Sequence, residues 1–116
     1  MEYTESTRQK KVARLIQKEL AGLFQRESRN LFGGAMITVT VVRVSPDLSY
    51  ARVYLSLFKV EKPQQLIDEI KLMKKDIRRR LGEIVGKQLR IVPDLDFFID
   101  DSLDYFEKID RLLGNA

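Results

Sequence analysis

PQQLIDEIKLMKKDIRRRLGEIVGKQL, residues 63–89, places apolar side chains at Leu66, Ile70, Met73, Ile77, Leu81 and Ile84, at spacings of 4, 3, 4, 4 and 3. That rhythm marks one side of an α-helix and predicts a long helix from Pro63 to Val85. Pro63 suits the first helical turn, where its missing N–H is not needed. Gly82 sits inside the predicted helix and Gly86 is placed to end it. The opposite side carries Lys71, Lys74, Lys75, Arg78 and Arg79, with Arg80 at the boundary and Asp76 as the acid among them. One face must be buried, and the other is an array of positive charge.

Upstream, Thr7 to Gln25 reads as a second amphipathic helix. Val12, Leu15, Ile16, Leu20, Leu23 and Phe24 form its buried stripe, and Ser6 or Thr7 can cap it. Arg8, Lys11, Arg14 and Lys18 lie off that stripe, with Lys10, Arg14 and Lys18 one turn apart. Positive charge near a helix N-terminus opposes the macrodipole, so helix stability does not account for Arg8 and Lys10. An anionic partner would account for them; so would a plain solvated face.

Gly33-Gly34 breaks the chain before a β-branched run, Met36 to Val44. Alternation fails at Val41-Val42, which implies either a bulge or an end buried on both faces. Ser45-Pro46-Asp47 reads as a turn and Tyr50 to Phe58 as the returning strand, with Ala51, Val53, Leu55 and Leu57 inward. Tyr50, Arg52, Tyr54, Ser56 and Phe58 make the other face. Such a row can stack bases, or simply cover the outside of a two-layer domain. Leu89 to Ile99 is extended chain interrupted by Pro93, with Leu95, Phe97 and Ile99 on one side. Asp100, Asp101 and Asp104 resemble a divalent-metal cluster, but a helix N-terminus explains them better, with Leu103, Phe106, Ile109 and Leu113 as the buried side of a short final helix. The order helix, strand, strand, long helix, strand, short helix predicts an α+β domain with one small sheet.

Composition narrows the chemistry. The 116 residues contain no cysteine and no histidine. That excludes thiolate catalysis, an imidazole base and a zinc site built on nitrogen or sulfur. No apolar run approaches the roughly 18 residues of a membrane span, and the first residues lack a signal-peptide pattern. A cytoplasmic protein is the expectation. The net charge of +4 conceals an asymmetry: residues 1–30, 31–60 and 61–93 carry +3, +2 and +4, whereas residues 94–116 carry −5. A basic body points to a polyanion, nucleic acid above all.

Several residues, taken in order, resemble the ribosome-binding factor A family of bacterial small-subunit assembly proteins. They are Arg8, Val12, Ala13 and Ile16; then Val42, Ser45, Asp47, Leu48, Ala51, Val53 and Tyr54; then Ile77-Arg78; then Leu89 to Leu95 with Phe97; and finally Asp100-Asp101-Ser102. The resemblance extends from about Arg8 to Leu113. It implies a type II KH-like, two-layer domain, helix-strand-strand-helix-helix-strand, with a three-stranded sheet. The expected domain fills residues 1–116, with a core over about 7–100 and the acidic helix over about 102–113. The resemblance further implies a monomer, without enzymatic activity, cofactor or small-molecule substrate. It would bind immature small (30S) ribosomal subunits and support late 16S rRNA maturation, notably in the cold. Standard KH domains use a GxxG loop that is absent here. Where the family has an Ala-x-Gly kink this chain has Met73-Lys74-Lys75, so the long helix is expected to divide near Met73–Asp76.

The expected RNA contacts are Arg8, Lys11, Arg14, Lys18, Lys71, Lys74, Lys75, Arg78, Arg79 and Arg80, with Arg90 a weaker candidate that could pair with the acidic segment. Competing readings are another RNA- or DNA-binding KH-like module, an adaptor using the acidic C-terminal segment, and an enzyme with magnesium at the Asp100-Asp101-Asp104 cluster.

Overall fold

A computed structural model describes residues 4–101. Helix α1 runs Thr7–Leu31, strands β1 and β2 Met36–Val44 and Tyr50–Phe58, helices α2 and α3 Pro63–Leu72 and Lys74–Val85, and strand β3 Asp94–Ile99. The predicted C-terminal helix lies outside the described residues. None of the described helices is long and apolar enough to cross a membrane.

α1 begins with a capping box: the Ser6 hydroxyl accepts the Gln9 N–H, and Gln9 Oε1 accepts the Ser6 N–H at 2.8 Å. Gln9 then uses its amide a second time, donating Nε2–H to the Val44 carbonyl at 2.9 Å. Two turns on, Gln17 donates to the carbonyls of Val39 and Thr40. Two glutamines on one helix face thus tie α1 to the edge strand. The helix is longer than the stripe ending at Phe24 predicts. Its polar last turns are held by an ion pair from Glu27 to Arg80 and by the closing turn, where Gly34 N–H reaches the Ser28 carbonyl. That turn needs φ of +61° at Gly33 and +80° at Gly34.

The sheet order is β1-β2-β3, with β1 antiparallel and β3 parallel to the central strand. The broken alternation in β1 is a bulge: the register shifts between Val39 and Val41, leaving Thr40 as the extra residue. The cause is sequence content. An unbroken alternation from Ile37 would bury Arg43 and expose Val42 and Val44. With the bulge, Val39, Val42 and Val44 all face the core. Thr40 is fastened by its hydroxyl, which donates to the Asp100 carboxylate at 2.6 Å.

The long periodic stretch is two helices. The backbone leaves helical geometry at Met73 (φ −96°, ψ 7°), which closes α2 and opens α3, and Met73 packs its half-buried side chain on the core. α3 continues through Gly82 without interruption. Gly86 does end α3, but with right-handed dihedrals (φ −58°) instead of a left-handed cap.

One core joins all six elements: Val12, Ile16, Leu20 and Phe24 from α1, Ile70, Ile77, Leu81 and Val85 from α2 and α3, and the inward residues of the sheet, among them Phe97. The helices cover one face of the sheet. The other carries Tyr50, Arg52, Tyr54 and Phe58 from β2. Because β3 runs parallel to β2, it sets Phe98 beside Tyr54, and their rings stack at 5.5 Å. The third strand therefore extends the aromatic row that the first strand lacks. This is a two-layer α+β domain of the KH-like, helix-strand-strand-helix-helix-strand kind.

Candidate nucleic-acid interface

Burial of Val12, Ile16, Leu20 and Leu23 against the sheet fixes the rotation of α1. That rotation leaves Arg8, Lys11, Arg14 and Lys18 exposed. None of the four has a carboxylate partner among the described residues, and the same holds for Lys10. Their charge is available to a partner.

The three consecutive arginines of α3 are differently placed. Arg78 is a clasp: its guanidinium donates to the Val92 carbonyl at 2.6 and 3.1 Å and to the Pro93 carbonyl at 3.1 Å, and lies 3.5 Å from Asp94. It holds the chain that leads into β3. Arg79 pairs with Asp76 and Glu83, each at 2.7 Å. Arg80 pairs with Asp76 at 2.9 Å and with Glu27 of α1 at 3.2 Å, tying the two helices together. Exposed pairs of this kind contribute only about 0–1 kcal/mol, so Arg79 can exchange its carboxylates for a phosphate. Arg78 cannot do so without loosening the entry to β3.

Asp76, the acid shared by Arg79 and Arg80, has its pKa held below the ordinary aspartate value. The hydrogen bond from Arg79 is the largest cause, loss of hydration opposes it, and Arg80 adds to it. Lys74 and Lys75, at the start of α3, are exposed and without carboxylate partners among the described residues. Lys71 at the end of α2 places its ammonium 5.7 Å from the centre of the Phe98 ring. This cation–π contact couples the basic helices to the aromatic side of the sheet.

Arg90 is exposed and makes no ion pair with the acids of β3 or with Asp100 and Asp101. It meets Arg8 instead, across a cavity of about 280 Å³ between the N-terminal end of α1, the β1–β2 turn and the chain after α3. Of the predicted aspartate cluster, Asp100 accepts the Thr40 hydroxyl, and Asp104 lies outside the described residues. Among the described residues no three potential metal ligands converge.

The sequence did not disclose Phe98 as a partner of Tyr54, because only strand order brings them together. Nor did it disclose the Arg78 clasp, whose acceptors are backbone carbonyls and leave no trace in residue type.

Fold and surface together define a small KH-like domain with an unpaired cationic face on its first helix. The family model for Ribosome-binding factor A matches residues 8–113, and the chain belongs to that family. It is 50% identical to the ribosome-binding factor A of Cytophaga hutchinsonii over 110 residues, covering 95% of this chain and 83% of that one. It is 48% identical to the Flavobacterium johnsoniae protein, covering 95% and 85%. Among solved structures, the crystal structure of ribosome-binding factor A from Thermus thermophilus matches with a TM-score of 0.64 at 22% identity, over 78% of this chain and 94% of that one. A homology model of the Thermus thermophilus factor, fitted into the cryo-EM map of a 30S complex, matches with a TM-score of 0.59 at 26% identity, over 75% and 89%.

Proposed function

We propose that this protein is a non-enzymatic assembly factor that binds immature small ribosomal subunits and supports late maturation of 16S rRNA, with its greatest effect in the cold. It acts as a cytoplasmic monomer, the whole chain forming one KH-like unit. It uses no cofactor, membrane or small-molecule substrate. The observation that carries this reading is the row of unpaired cations on α1, Arg8, Lys11, Arg14 and Lys18, in a chain of this family. The related factor fitted into a 30S map supports the choice of partner.

Contacts fall into two tiers. Lys11, Arg14 and Lys18, with Lys74 and Lys75, neutralise phosphates and position the domain without reading sequence. Lys71, Arg79 and Arg80 join them by releasing existing partners, and Arg78 contributes indirectly by fixing the approach to β3. Arg8 and Arg90 act at the cavity.

Co-sedimentation through sucrose gradients tests the proposal. The protein is expected to travel with free small subunits and not with complete ribosomes, and to dissociate as salt rises. Lys11→Ala/Arg14→Ala/Lys18→Ala should weaken association while leaving the fold intact, since all three side chains are exposed. Association indifferent to both salt and this variant would overturn the assignment. Competition with duplex DNA distinguishes a generic nucleic-acid binder.

A further inference from the structure

The cavity joining Arg8 to Arg90 has a composition that phosphate neutralisation does not explain. Its walls include Val12, Leu48, Leu89 and Ile91, and Ile91 is 68% exposed although large and apolar. A site whose only task is to hold a phosphate needs no greasy floor. At about 280 Å³ it lies just below the roughly 300–1,000 Å³ typical of drug-sized ligand sites, a size for one planar ring system and not for a helix.

Leu48 reaches this wall from the left-handed backbone region, with φ of +63°. A residue other than glycine is strained there, and such strain collects at ligand clamps. The turn that holds it is built on the neighbouring Asp47. The Ser45 hydroxyl, the Ser49 N–H and the Ser49 hydroxyl all donate to one oxygen, Asp47 Oδ1, at 2.7 to 3.1 Å. Asp47 also lines the cavity, and its second oxygen, Oδ2, takes none of these bonds. The site therefore offers an apolar surface, two guanidinium groups without a carboxylate partner among the described residues, and one carboxylate oxygen with acceptor capacity to spare.

We propose that this cavity receives a single unpaired nucleobase bearing an exocyclic amino group, turned out of a single-stranded stretch of RNA. Leu48, Leu89 and Ile91 cover the base, and Arg8 and Arg90 take its flanking phosphates or stack on its face. Asp47 Oδ2 accepts one amino N–H. Unstacked bases are held in this manner on apolar side chains and guanidinium planes while their Watson–Crick edge is read by hydrogen bonds. Uracil is disfavoured, since both groups flanking its only imino N–H are carbonyls that face the carboxylate. This inference rests on the RNA-binding reading above and adds a base-selective contact to a surface that is otherwise indifferent to sequence.

The test is a titration of the ¹⁵N-labelled full chain, followed by amide NMR, with AMP, CMP, GMP, UMP and ribose 5-phosphate in turn. AMP, CMP and GMP should shift the amides of Leu48, Ser49, Leu89 and Ile91, with UMP at least about ten-fold weaker and ribose 5-phosphate weaker still. Asp47→Asn keeps an acceptor for the turn and should abolish the preference over UMP. Arg90→Ala, at an exposed site, should weaken all four nucleotides about ten-fold. Equal shifts by ribose 5-phosphate would reduce the site to an anion contact, equal binding of UMP would remove Asp47 as reader, and silence of these amides at millimolar nucleotide would remove the slot; each overturns the proposal. Co-sedimentation of the same variants with small subunits separates its failure from that of the assembly-factor reading, which stands if association persists while the slot is silent.

Discussion

Asp76 shows how one residue can govern a charged helix face. It satisfies Arg79 at 2.7 Å and Arg80 at 2.9 Å, and its folded pKa is lowered mainly by Arg79. A lowered carboxylate pKa contributes stability that is complete above the unfolded value and is lost as pH falls through the folded one. Asp76→Asn should therefore lower the melting temperature at pH 7, and the gap to the parent should close as pH drops below about 4. A gap that widened in acid would refute this account. Two glycines of the same region make a contrasting pair. At Gly82 an added Cβ would meet Val92 at an ordinary 3.6 Å, so Gly82→Ala should gain about 0.5–1 kcal/mol from helix propensity. At Gly86 the Cβ would stand 2.7 Å from the Gly82 carbonyl oxygen, so Gly86→Ala should cost about 1–3 kcal/mol. Thermal unfolding of the two variants should move in opposite directions.

Element boundaries depend on less local causes. The ends of β1 and β2 follow from β-branched runs bounded by Gly33-Gly34 and the Ser45-Pro46-Asp47 turn, and the sequence locates both strands. α1 is different: after Phe24 comes a polar stretch, yet the helix continues to Leu31, where Leu31 and the buried C-cap Phe32 return to the core beside Phe24 and Glu27 pairs with Arg80 on a helix distant in sequence. Met73 likewise sits in unbroken helical periodicity. What divides α2 from α3 there is the packing of both onto one sheet, with Met73 itself half-buried at the break. The bulge at Thr40 allows a test on this scale. Deleting Thr40 leaves Val39, Val42 and Val44 still alternating inward, so the chain should fold with an unchanged Val42–Val53 pairing. It would lose the bond to Asp100, at a cost of about 1–3 kcal/mol. Cross-strand NMR contacts and denaturant unfolding check both halves of that expectation.

On the scale of the domain, and among the described residues, cations without a carboxylate partner are found on α1, at the start of α3 and around the cavity, while the arginines of α3 are already engaged. This distribution makes a quantitative claim on binding. Each phosphate contact contributes about 0.7–0.9 to the slope of log affinity against log salt. Lys11→Ala/Arg14→Ala/Lys18→Ala should therefore flatten the slope for small subunits by about 2 to 3, whereas Arg79→Ala should change it less, because its charge is already partly compensated. Salt titrations of the two variants side by side decide the matter. By itself the sequence determined the order of the described elements, the core-facing Ala51, Val53 and Leu55 of β2 and Leu95 and Phe97 of β3, and the family. Those depend on local propensity and on hydrophobic period, which neighbouring residues carry. Only the tertiary structure decided which charges remain available, which inward phase β1 takes after its bulge, that Phe98 lies beside Tyr54, and that Arg8 and Arg90 face one cavity. Each is set by groups far apart in the chain meeting at distances of a few ångströms. For ion pairs and backbone acceptors in particular, residue type alone does not record the partner.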